Sequence, residues 1–72
     1  MRTKEMLGLL SEAGYPMKLV AAQSGVSYMK LFRYVRRNGK LTPGDKARLW
    51  KFGITQPAVA EPLDIEIQED GE

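Results

Sequence analysis

The chain has 72 residues, room for one small domain and no second core. It contains neither Cys nor His, which excludes a disulfide framework and the ligands that transition-metal sites usually demand, so no metal or other cofactor is expected. Its net charge of +2 hides a sharp asymmetry: residues 1–53 hold all 11 Lys and Arg against three acids, whereas residues 54–72 hold six acids and no base.

A basic body of +8 followed by an acidic end of −6 suits either a polyanionic partner or a solvated charged surface, and charge alone does not separate them. The apolar runs Met6–Leu10 and Leu19–Ala22 are far short of the roughly 20 residues that span a bilayer. Met1–Lys4 is basic, but no apolar region of about 7 to 15 residues with a cleavage site follows, so a cytoplasmic protein with no membrane contact is expected.

Thr3 serves as an N-cap for a first helix over residues 4–13, in which Met6, Leu7, Leu10 and Ala13 share a face before Gly14. Tyr15-Pro16 makes a tight connection to a second helix over Met17–Ser24. There Leu19 and Val20 face inward, Ala21 and Ala22 permit close helix approach, and Gly25 stops the helix. Ser27 caps a third helix reaching about Arg37, with Leu31, Tyr34 and Val35 on its inner face and Asn38-Gly39 at its end.

Thr42-Pro43-Gly44-Asp45 is a strong start signal: an N-cap Thr, Pro at the first helical position and an acid in the first turn. The fourth helix runs over Pro43–Phe52, with Ala47, Trp50 and Ile54 near one stripe, Leu49 beside it and Gly53 as the stop. Residues 55–72 read as a separate acidic tail. Within it Leu63, Ile65 and Ile67 alternate with Asp64, Glu66 and Gln68, the period of a half-buried strand that either pairs with a second subunit or stays disordered.

Two short helices joined by a glycine-containing turn, in the segment LVAAQSGVSYMKLFRYV (Leu19–Val35), form the pattern of a helix-turn-helix. On Val20, Ala21, Gly25, Val26, Ser27 and Leu31, the segment from Met6 to Phe52 resembles the phage Cro and lambda-repressor-like helix-turn-helix family. That family often has an aliphatic residue where Ser24 stands and a small residue where Lys30 stands. The resemblance implies an all-α bundle of four or five short helices and operator binding as a homodimer. By position it places Ser27, Tyr28, Met29, Phe32 and Arg33 on the side facing the DNA groove.

Residue chemistry agrees. Arg33 suits a bidentate contact to guanine, Phe32 or Met29 a thymine methyl, and Tyr28 a phosphate or base edge. Lys18 and Gln23 near the second helix, and Lys30, Arg36, Arg37 and Lys40 on or after the third, are placed for phosphates. Each of these has a plainer alternative, core packing for the aromatic and Met side chains and solvated surface for the cations. However, Tyr28, Met29 and Phe32 cannot all be core if Leu31, Tyr34 and Val35 are.

Glu5, Glu12 and Asp45 each lie near a helix end, where dipole compensation or solvation accounts for them, and no catalytic group is expected. The leading expectation is therefore a double-stranded-DNA-binding repressor of phage type, with domain 1–54, tail 55–72, and dimerisation through Leu63, Ile65 and Ile67. The alternative is a protein-interaction module or inhibitor subunit that uses the same scaffold or its tail to grip a protein.

Overall fold

Punctuation by Gly, Pro and capping residues cuts the described residues into five α-helices: α1 (Thr3–Glu12), α2 (Met17–Ser24), α3 (Tyr28–Arg36), α4 (Pro43–Gly53) and α5 (Pro57–Asp70). The structure, a computed structural model, describes the backbone of residues 1–70 and the side chains of residues 1–64. No strand occurs among the described residues, and no helix there is long and apolar enough to cross a membrane.

The helices close around one core of Met6, Leu10, Val20, Ala21, Val26, Leu31, Leu41, Leu49 and Val59. Full burial of an aliphatic side chain contributes about 1.5–3 kcal/mol, so this set of nine is the main source of stability. α2 packs on both α3 and α4, and α1 packs on α4 and α5. Tyr15 ties the α1–α2 connection to the start of α5, its hydroxyl donating to Gln56 Oε1 at 2.5 Å. The Tyr15 ring meets Phe52 edge-on at 6.3 Å.

The expected local signals operate at three ends. Gly25 takes the left-handed conformation (φ 79°) after α2. Ser27 Oγ accepts the Lys30 N–H at a long 3.5 Å. At α4 the capping box is complete: the Asp45 N–H donates to Thr42 Oγ1 at 3.1 Å and the Thr42 N–H donates to Asp45 Oδ2 at 3.4 Å.

Other expectations are corrected. Thr3 is the first residue of α1 and Arg2 its N-cap; the Thr3 hydroxyl instead accepts the Trp50 indole N–H at 3.1 Å, joining α1 to α4. Gly53 is the last residue of α4 rather than a left-handed stop, and a Cβ there would overlap Met6 Sδ. The glycine is needed for the approach of α1. On α4 the buried stripe is Asp45, Leu49 and Gly53, while Ala47 and Ile54 are exposed and Trp50 is half-buried. Leu19 and Val35, expected inside, are exposed.

The largest correction concerns residues 55–72. Residues 57–70 of the segment read as a dimerising strand or a disordered tail form α5, Val59, fully buried, belongs to the core of the body, and residues 71 and 72 lie outside the described residues. Pro57 begins the helix, where its missing N–H costs nothing, and the Gln56 carbonyl accepts the N–H groups of Val59 (3.0 Å) and Ala60 (2.8 Å). Leu63 and Ile67 satisfy two periods at once: they alternate with acids, and they follow Val59 at intervals of four, a helical stripe. The backbone across this stretch is helical. Leu63 is half-buried, and the side chains of Ile65 and Ile67 lie outside the described residues.

Candidate nucleic-acid interface

α3 buries one of its side chains completely. Leu31 is buried in the core, and Val26, just before the helix, is buried beneath the α2–α3 turn. With about 100° between successive residues, burial of Leu31 fixes the opposite stripe as Met29, Arg33 and Arg36. All three are exposed, Met29 by 51%. An apolar methionine is thus presented to water on the outermost line of the helix.

The flank of α3 toward α2 is aromatic. Tyr28 is exposed and Phe32 half-buried, their ring centroids 6.2 Å apart, and Lys18 Nζ of α2 stands 6.0 Å over the Tyr28 ring. Lys18 thus shares a surface with the start of α3. Ser27 is exposed at the N-cap and Gln23 is exposed on α2. The opposite flank is held by charge. Lys30 Nζ lies 3.9 Å from Asp45 Oδ2, and Arg48 Nη1 lies 3.2 Å from Asp45 Oδ1. Lys30 therefore shares its charge with α4, whereas Arg33, Arg36, Arg37 and Lys40 have no ion-pair partner among the described residues.

Asp45 is the residue whose role the sequence understates. Read as a solvated helix-end acid, it is buried to 6% exposure and holds both the α4 cap and the flank of α3. Burial acts to raise its pKa, but hydrogen bonding with Thr42 and the charges of Lys30 and Arg48 outweigh it, and the net pKa is lowered. It is ionised at neutral pH. The capping pattern Thr42-x-x-Asp45 was visible in the sequence, but nothing local signals its burial or its link to Lys30.

The end of α3 is closed by two N–H groups: Arg37 and Gly39 both donate to the Arg33 carbonyl at 2.8 Å, while Asn38 takes φ 54°. A Cβ on Gly39 would lie 3.0 Å from the Arg33 backbone, so the chain turns tightly there and presents Arg36, Arg37 and Lys40 close to the helix end. Between residues 13 and 44 there is no acid and there are six bases. The expected base-reading set (Ser27, Tyr28, Met29, Phe32, Arg33) thus falls on one accessible side of α3, with Lys18 and Gln23 from α2 bordering it. Arg37 and Lys40 extend the surface at its end. Arg36 also lines a cleft behind that end. Comparison with protein-family models, with curated proteins and with solved structures finds no match.

Proposed function

We propose that this chain is a sequence-specific regulator that binds double-stranded DNA through α3, with α2 and α3 acting as a helix-turn-helix and occupancy of a promoter as the mode of repression. The observation that carries the reading is the combination on α3: Met29 and Arg33 outermost, Tyr28 and Phe32 beside them, and, among the described residues, no acid paired with the helix except Asp45. Exposed apolar side chains among unpaired cations suit a groove lined with thymine methyls, guanine acceptors and phosphates.

Roles divide by chemistry. Arg33 donates two parallel hydrogen bonds to guanine, and Met29 or Phe32 contacts a thymine methyl. Lys18, Arg37 and Lys40 release counterions by neutralising phosphates, and Gln23 donates a hydrogen bond to one. Leu31 holds the helix so that these contacts form without reorganisation, while Asp45 fixes the flank through Lys30. As a dimer the protein would read two half-sites about one helical turn apart.

The test is selection from random duplex DNA at near-physiological salt, where non-specific binding is suppressed. One enriched motif, in particular an inverted repeat, is the expected result. A folded protein that enriches nothing would remove the reading and favour the competing one, a protein-interaction module; the apolar cleft beside α3 is the feature that speaks for that alternative.

A further inference from the structure

Behind the end of α3 the helices α1, α2 and α3 enclose a cleft of about 320 Å³. Its floor is apolar: Val20 and Leu31 are buried there, and the half-buried Leu7 and Met17 rise beside them. Val35, also apolar, opens onto the cleft at 40% exposure. Two cations, Lys4 and Arg36, stand among the lining residues and no acid does. Lys4 Nζ is held 3.4 Å from Asn38 Oδ1 and 5.1 Å over the Tyr34 ring, while Arg36 has no ion-pair partner among the described residues.

Gly8 adds an independent observation. It lies inside α1, where glycine is disfavoured, and a Cβ there would meet nothing within 4 Å, so no close approach of another helix calls for it. It does line the cleft, and its missing side chain leaves the entrance clear. A hollow at the lower end of the about 300–1,000 Å³ typical of small-molecule sites, with aliphatic walls and two cations, suits a small ligand with an aliphatic body and one negative head. We propose that the cleft binds a medium-chain fatty acid, its chain against Leu7, Met17, Val20 and Val35 and its carboxylate accepting from Arg36 and Lys4. The paired N–H groups of a guanidinium match the two carboxylate oxygens, and an ammonium with three donors has some left after the bond to Asn38. The residues proposed to read DNA lie toward the start of α3, away from this cleft. The inference does not rest on DNA recognition, because its readout is the binding of the ligand itself.

The experiment titrates decanoate, below its micellar concentration, into the full-length protein and follows calorimetric heat and backbone amide NMR shifts. One saturable site is expected, with the largest shifts at Leu7, Gly8, Val35 and Arg36. Octanoate should bind about tenfold more weakly, since two buried methylenes are lost. Decanol, which keeps the chain and lacks the charge, should bind at least about tenfold more weakly than decanoate. Arg36→Gln should weaken decanoate by a similar factor and leave decanol unchanged. Gly8→Leu fills the entrance: it should abolish decanoate binding yet melt no lower than wild type, because leucine is preferred in a helix and its Cβ meets open space. A wild type without saturable binding, as expected if the cleft instead takes a side chain of a protein partner, would overturn the proposal. So would decanol binding as tightly as decanoate, or a folded Gly8→Leu that binds like wild type.

Discussion

Asp45 joins two elements: it caps α4 with Thr42, pairs with Arg48 in the same helix, and pairs with Lys30 of α3. Because its folded pKa is lowered from the ordinary 3.8, its contribution to stability is fully present above that value and is lost as pH falls below it. Asp45→Asn should therefore unfold more easily than wild type in urea at pH 7, and the gap should narrow as pH falls below about 4. A gap constant with pH would mean that the carboxylate's charge is immaterial. Two glycines make a second comparison. Gly8 has open space around its missing Cβ, whereas a Cβ at Gly53 would overlap Met6, which is fully buried. Gly8→Ala should stabilise by about 0.5–1 kcal/mol. Gly53→Ala gains a similar helical preference but should still lose, since overpacking a filled core costs about 1–3 kcal/mol. Thermal melts of the pair measure both signs.

At the scale of elements, the parts legible in the sequence are those with local causes. Ser27, Thr42-Pro43 and Gly25 act through backbone hydrogen bonds or φ within a few residues, and they place the boundaries of α2, the start of α3 and the start of α4 within a residue of expectation. The parts that were not legible depend on partners distant in sequence. The tight fit of Gly53 involves Met6, the ion pair of Asp45 involves Lys30, and Val59 of α5 joins a core whose other members lie at least ten residues earlier. Val35 shows the converse: its spacing matches the inner face of α3, but among the described residues it is left exposed. The base-reading candidates were legible because a single buried residue, Leu31, sets the rotation of the whole helix. If α5 is part of the folding unit, Val59→Ala should cost about 2 kcal/mol in denaturant unfolding, with one transition for the whole chain. No loss would return residues 55–72 to the status of a tail.

The whole molecule separates its charge along one chain: cations gather on α3 and the turn after it, and acids gather toward the end of α5. If DNA is the partner, each phosphate contact adds about 0.9 to the magnitude of the slope of log affinity against log salt. Lys40→Ala should lower that magnitude by roughly 1 and weaken all duplexes alike, whereas Arg33→Ala should cost roughly 1–3 kcal/mol on the preferred duplex and little on others. Titrations at several salt concentrations distinguish the two roles, and equal effects would refute the division.

The most direct measurement of α3 as a reading helix is duplex selection run in parallel on wild type and Arg33→Ala. The account predicts one motif for the wild type, and the same motif with preference lost at a single base pair in each half-site for the variant. An unchanged motif, or none from folded wild type, would contradict it.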